Sequence, residues 1–527
     1  MAIKIIMLVV FFALMIYIGI RCRKHALNVE GFVLGGRSVG AWFTAFAFGT
    51  SYFSAVIFVG YAGQFGWRFG LASTWIGLGN AFIGSLMAWM VLGRRTRIMT
   101  QHLNSRTMPD FFGLRYRSPR LKIAASVIVF IFLIPYTASL FNGLSRLFTM
   151  AFPGIDYTWC VVVMAVLTGI YVLVGGYMAT AVNDFIQGLI MLVGIVAVVA
   201  AVLHGQGGLT EAIAKLSQES AATAAGTEFQ GAYTSFFGPD ALFLFFVVIL
   251  TSLGTWGLPQ MVNKFYAIKD EASIKKGTAI STVFAIVVAG GCYFLGGFGR
   301  LFKNVVEYRA DGSPVYDSII PKMLENLSPL LIGIVLILVL SASMSTLSSL
   351  VLTSGSTITL DLIVPMRKKP MKERSKMSVM RLFIAFFIVV SAVIAIVQAK
   401  SGIVFIAQLM GVSWGALAGA FLAPFLYGLF WKRVTNAACW ASFAMGISLS
   451  VIQLIKSMTG FSFGISFLDE ILFKTSIHSG ALAMLFGLIL VPAVSLLSKR
   501  RDSAQIDEMF SCYNATIAVP VKDSLGE

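Results

Sequence analysis

The chain has 527 residues, 58% of them hydrophobic and 12% charged, with a formal net charge of +17. A soluble domain carries about 25% charged residues, so this composition, with a mean hydropathy of +0.86, excludes an ordinary soluble protein. The positive charge is not a nucleic-acid footprint, because the basic residues sit in short segments between apolar runs, where they report membrane topology.

Apolar runs of about 20 residues recur along the whole length, which predicts an all-α polytopic membrane protein. The first predicted span covers 4–20. Its charges (Arg21, Arg23, Lys24) follow the apolar run rather than precede it, so it reads as a retained helix with its N-terminus outside and not as a cleaved signal. The second span, 39–67, is interrupted by Gly49-Thr50-Ser51-Tyr52-Phe53-Ser54, and the third covers 69–92. A strongly basic loop over 94–120 follows and contains Met108-Pro109-Asp110-Phe111-Phe112, read as a short interfacial helix. The fourth span is 123–150, the fifth 157–174 and, after Gly175-Gly176, the sixth 178–204, which carries Asp184 and Gln187 in its first turns.

A polar connector, 205–240, separates two halves, and 207–216 within it reads as an amphipathic surface helix. The seventh span, 241–262, is broken by Gly254-Thr255-Trp256-Gly257-Leu258-Pro259, since Pro259 lacks an amide donor and restricts Leu258. Lys264, Lys269, Lys275 and Lys276 are assigned to the loop after it. The eighth span is 277–298, and the ninth runs over about 330–361. The tenth to thirteenth are 382–398, 403–430, 437–455 and 480–497, with a short polar tail from Ser498.

Thirteen spans with the N-terminus outside put the basic segments 21–24, 94–120, 264–276, 367–381, 432–433 and 499–501 on the cytoplasmic side, together with the C-terminus. The expected organisation is a first helix and basic loop (1–38), a first repeat (39–204), an outer connector (205–240), a second repeat (241–430), two accessory helices (431–498) and a cytoplasmic tail (499–527).

No HExxH, GxSxG or Walker pattern is present, the five cysteines are scattered without a CxxC, and the four histidines stand singly. These features predict neither an enzyme nor an organic cofactor. What remains is polar chemistry inside apolar spans. Two interrupted spans in matching positions of two halves point to a transporter with inverted repeats, because backbone left unpaired at membrane depth persists only where it lines a cavity or holds an ion. Simple kinking by Gly and Pro is the alternative. The ninth span contains Leu340-Ser341-Ala342-Ser343-Met344-Ser345-Thr346-Leu347-Ser348-Ser349, in which Ala342, Ser345, Thr346 and Ser349 share one helical face. Such a face either packs helices tightly or offers neutral oxygens to a hard cation. Asp184 is costly at helix centre, by about 2.5–3.5 kcal/mol, and is expected to face the protein interior unless it reaches water at the cytoplasmic end.

Taken together, Phe32-Val33-Leu34-Gly35-Gly36-Arg37-Ser38, Met108-Pro109-Asp110-Phe111-Phe112, Gly175-Gly176-Tyr177 with Asn183-Asp184-Phe185-Ile186-Gln187-Gly188, Pro259-Gln260 with Lys264-Phe265, and Ser345-Thr346-Leu347-Ser348-Ser349 resemble the sodium/solute symporter family over nearly the whole chain. The resemblance implies a five-plus-five inverted-repeat core, here spans two to six and seven to eleven, and sodium as the coupling ion. It implies a sodium site at Thr50, Phe53, Ala342, Ser345 and Thr346, and a second, as in the sialic acid transporters of that family, at Asp184, Ser345, Ser348 and Ser349. Candidate solute contacts are Tyr52, Tyr136, Asn142, Thr255, Trp256, Gln408 and Trp414, each of which could instead be packing. The family's proline symporters have Asp where this chain has Tyr52, and Trp and Tyr where it has Thr251 and Thr255. Its sugar symporters place amide and acidic residues where this chain has Ser51-Tyr52-Phe53-Ser54. The expectation is therefore sodium-coupled import of a small organic anion or zwitterion across the cell membrane by a monomer in the lipid bilayer. Symport of proline or another amino acid, and a transporter-like solute sensor, are the alternatives. A channel is disfavoured, since no continuous polar pore or ring of charge is present.

Overall fold

The computed structural model describes residues 2–222, 228–310, 312–401, 406–499 and 503–514. The start of the eleventh predicted span, the middle of the connector, the basic pair Arg500 and Arg501, and the tail beyond 514 lie outside the described residues. The protein is 83% helical. Its one described sheet is the two-stranded pair Ser220–Ala222 and Glu228–Gln230, antiparallel with Ala221 opposite Phe229. Among the described residues, ten helices are long and apolar enough to cross a membrane, or eleven when the bent pair Ala241–Gly257 and Pro259–Ala267 counts as one span.

Both expected interruptions are present, and they have the same local form, one extended residue between two helical segments. The helix Ala41–Tyr52 stops at Phe53, which is extended at φ −84°, ψ 124°, and helix resumes with the wide π-helical turns of Val56–Tyr61. The helix Ala241–Gly257 stops at Leu258, extended at φ −85°, ψ 121°, and Pro259 opens the next segment. Proline at a first helical position lacks only a donor that the helix start would leave free anyway, so one residue ends one helix and starts another, with a bend of 46°. The two broken helices meet at one end, where Val39 bridges Ile268 and the Val39 carbonyl accepts from Lys269 N at 2.9 Å. Arg37, buried beside this joint, donates to the carbonyls of Tyr266 at 3.2 Å and Ser105 at 2.5 Å. Its burial holds the guanidinium below its usual pKa.

Two apolar stretches are far longer than one crossing. Val56–His102 has 47 residues and Tyr157–Gly205 has 49. Each contains a glycine in the left-handed region, Gly70 at φ 62° and Gly176 at φ 58°, where L side chains are strained. Across Gly176 the helix is kinked.

The serine helix, Pro329–Thr357, starts at a Ser328 cap and runs through the interior with all residues from Leu338 to Thr357 buried. Ile406–Phe430 is packed between Asn436–Thr459 and Ser476–Leu497 on one side and Ala241–Gly257 on another. Close approach is set by small residues, since a Cβ on Gly66 would overlap the Gly296 carbonyl of the crossing helix.

Three assignments made from the sequence change. Lys264 is not in a loop but buried within Pro259–Ala267, because the helix resumes after its break and outlasts the apolar run. The basic stretch after the third span is largely helical, in Arg94–His102 and Met108–Arg115, with Arg97 and Arg115 buried. The tail also folds: Ser503–Ser511 docks through Met509 and Phe510, and the Tyr513 hydroxyl donates to the Leu429 carbonyl at 3.0 Å.

Candidate functional site

The first break leaves carbonyls without helical partners, and the serine helix lies against them. Ser345 Oγ is 3.0 Å from the Thr50 carbonyl and 3.1 Å from that of Ala342. Thr346 Oγ1 is 3.2 Å from Thr50 O, 3.3 Å from Phe53 O and 3.0 Å from Ala342 O. All five residues are buried. One hydroxyl proton cannot serve three carbonyls at once, so the cluster holds more acceptors than donors. A hard cation takes oxygens at about 2.3–2.6 Å, which for ligands at right angles spaces neighbouring oxygens roughly 3.3–3.7 Å apart. The five hydroxyl-to-carbonyl separations, 3.0–3.3 Å, come to that spacing with an outward shift of a few tenths of an ångström. Neutral oxygens from a helix end and two hydroxyls suit a monovalent cation.

The four residues expected around a second ion are also buried together, but with an extra partner. The Lys264 ammonium lies 3.0 Å from Ser349 Oγ and 3.6 Å from Asp184 Oδ2. Ser349 Oγ is in turn 2.8 Å from Ser51 Oγ. Ser348 Oγ donates to the Ser345 carbonyl at 2.9 Å, and Tyr171 OH to that of Met344 at 2.9 Å. Neither Asp184 oxygen has a hydrogen-bond donor, and the 3.6 Å separation exceeds a charge-assisted hydrogen bond.

The seven candidate solute contacts divide. Tyr52, Tyr136 and Trp414 come together: Trp414 is 5.8 Å from Tyr52 and 6.0 Å from Tyr136 between ring centroids. The Tyr52 and Tyr136 hydroxyls, Ser54 Oγ and Trp414 Nε1 are all buried, and among the described residues none has a partner at good hydrogen-bond geometry, although the Tyr136 hydroxyl lies within reach of Ser54 and Trp414 and that of Tyr52 within reach of Thr251. Gly254, at the second break, gives Trp414 its room, because a Cβ there would stand 2.8 Å from the indole. A cavity of about 10 Å³ beside Tyr52 and Phe53, reaching Asn80 and Ser281, has space for about one water.

The other four are engaged elsewhere. Thr255 Oγ1 donates to the carbonyls of Gly84 at 3.0 Å and Ser252 at 2.9 Å, and Trp256 Nε1 to Ile83 O at 3.0 Å. Asn142 binds Tyr157 and Gln398. Gln408 donates to Ser457 and lines a separate cavity of about 350 Å³ with Gln64, Arg68 and Lys456. Ser54, Ser51 and Lys264 were not among the candidates. A serine next to a broken span could have flagged the first two, while Lys264 stood out only as part of the motif with Phe265 and was assigned to a loop.

Comparison with known proteins agrees with this geometry. The model of the Sodium:solute symporter family matches residues 32–446. The chain is 28% identical to the sodium/proline symporter 2 of Staphylococcus saprophyticus subsp. saprophyticus, over 85% of this chain and 86% of that one. It is 28% identical to the osmoregulated proline transporter of Bacillus subtilis, over 86% and 89%. Among solved structures, a substrate-bound, outward-open sodium-coupled sialic acid symporter superposes with a TM-score of 0.73 at 17% identity, covering 94% of this chain and 98% of the other. With its two broken helices, its buried oxygen cluster and this match over most of its length, the chain belongs to the sodium:solute symporter family.

Proposed function

We propose that this protein is a sodium-coupled secondary active symporter that imports a small carboxylate-bearing solute, anion or zwitterion, by alternating access. The observation that carries the reading is the convergence of Thr50, Phe53 and Ala342 carbonyls with the Ser345 and Thr346 hydroxyls at a helix break. Sodium bound there would tie the first broken helix to the serine helix, and the same break positions Tyr52 and Ser54 beside Tyr136 and Trp414. Four neutral polar groups, each able to donate and none held at good hydrogen-bond geometry among the described residues, suit the oxygens of a carboxylate. The aromatic faces suit an apolar body. A transporter, not an enzyme, is the consistent class for such a site.

Further features support the architecture expected for this mechanism. Phe53 and Leu258 break their helices with almost identical backbone angles, as inverted repeats over 39–204 and 241–430 would. At 1.5 Å per residue, stretches of 47 and 49 residues run roughly 70 Å, more than twice a bilayer core of about 30 Å. Division of each at Gly70 and Gly176 gives thirteen spans. The basic segments then face the cytoplasm with the C-terminus, and the N-terminus lies outside. The protein acts as a monomer in the cell membrane.

The named relatives make proline one solute to test. Against it stand Tyr52, and Thr251 and Thr255, whose hydroxyls are already bonded to backbone carbonyls. Uptake of labelled proline, other amino acids, monocarboxylates and sugars into proteoliposomes tests the reading. An inward sodium gradient should accelerate entry of at least one carboxylate-bearing solute about tenfold over an equal potassium gradient. Equal rates in the two salts, or uptake of sugars alone, would contradict it.

A further inference from the structure

The groups expected to hold a second sodium already face a cation of the protein's own. Lys264 stands on Pro259–Ala267, the half-helix after the second break, and is buried. Its ammonium lies 3.0 Å from Ser349 Oγ and 3.6 Å from Asp184 Oδ2, and 5.3 Å from the centre of the Tyr177 ring. These are two of the four side chains expected around a second ion, its only carboxylate among them, and the lysine reaches them from the helix that the break has redirected. We propose that the Lys264 ammonium is a tethered cation in the place of a second sodium, so that the chain binds one sodium per transport cycle. The inference rests on the sodium-coupled reading above.

The argument is one of charge. Asp184 and Lys264 together sum to zero wherever their shared proton resides. The carboxylate is thus already compensated, and a sodium ion added there would compete with the Lys264 ammonium for the same oxygens while standing beside a like charge, which at low dielectric is strongly repulsive. The oxygen cluster around Thr346 differs, since among the described residues no side-chain cation is hydrogen-bonded to it. Lysine is suited to the substitution because its ammonium is a compact point charge on a long flexible stem, and an inserted ammonium needs the hydroxyl and carboxylate acceptors that sodium would use. Ser349 also contacts Ser51 at 2.8 Å, so the tethered cation touches the same broken segment that supplies Thr50 and Phe53. The lysine thereby holds the two broken helices and the serine helix in one electroneutral unit, a task that a second sodium would otherwise perform only while bound.

Equilibrium binding of radioactive sodium to the purified full-length protein tests this without knowledge of the solute. The wild type should saturate at one ion per chain. Lys264→Gln, which leaves Asp184 without a cation, should saturate at two, and Lys264→Gln combined with Asp184→Asn should return to one. Lys264→Arg keeps the charge and should bind one ion. Two ions on the wild type would overturn the inference and leave symport standing, and that count needs no variant to fold. One ion on a folded Lys264→Gln protein would also overturn it. No sodium on the wild type would instead overturn the symporter reading together with the inference.

Discussion

Thr346 concentrates the chemistry of the site in one hydroxyl, placed 3.0–3.3 Å from three carbonyls of two helices. A hydrogen bond or ion contact involving charge is worth about 1.5–3 kcal/mol, so Thr346→Ala should lower sodium affinity roughly tenfold to a hundredfold. The sodium concentration for half-maximal uptake reads this directly, and an unchanged value in a well-folded variant would remove Thr346 from the site. Tyr136 makes a contrasting case. Its buried hydroxyl has no partner at good hydrogen-bond geometry among the described residues, and a hydroxyl left unsatisfied in the interior costs folding about 1–3 kcal/mol. Tyr136→Phe should therefore raise thermal stability while weakening solute affinity about fivefold, with sodium activation unchanged. A stability loss in that variant would mean the hydroxyl is satisfied within the protein. At this scale the oxygen cluster was legible, because hydroxyls at helical spacing and a resembling motif named every member. Lys264 was not. Its neighbours Asn263 and Lys269 read as the end of a span, and only the fold shows that the segment turns back into the interior.

The broken helices were the most legible elements, since Pro259 and the run Gly49-Thr50-Ser51 weaken a helix locally whatever surrounds them. What local chemistry could not convey is their mutual fit. Trp414 rests against Gly254, and the Thr255 and Trp256 side chains are spent on carbonyls of Gly84 and Ile83 rather than on the space beside Tyr52. Residues beside a break therefore read as solute contacts from sequence, yet both of those at the second break, Thr255 and Trp256, serve to anchor it. Gly254→Ala would drive a methyl to 2.8 Å from the indole. Overpacking of that kind costs about 1–3 kcal/mol, and here it should displace Trp414. Solute affinity is expected to fall about tenfold, measured as the concentration for half-maximal uptake. A normal solute affinity would show that Trp414 packs and does not bind.

Over the whole molecule, hydropathy and the distribution of basic residues carried most of the information, because a bilayer forces every span to be long, apolar and helical. Among the described residues there are ten or eleven candidate spans against the thirteen expected from the sequence, because Val56–His102 and Tyr157–Gly205 each run on as one long helical stretch through Gly70 and Gly176. The docked tail helix Ser503–Ser511 escaped detection because its polarity concealed Met509 and Phe510. The central claim is that sodium and solute share one broken helix, with Thr50 and Phe53 serving the ion and Tyr52 and Ser54 the solute. Sites joined through one segment must be energetically coupled, and the coupling is reciprocal. The most direct measurement is equilibrium binding of a transported solute to the purified protein in sodium and in potassium at equal ionic strength. Sodium should tighten solute binding about tenfold or more, and saturating solute should tighten sodium binding by the same factor. Solute binding that is equally tight in the two salts would contradict the account.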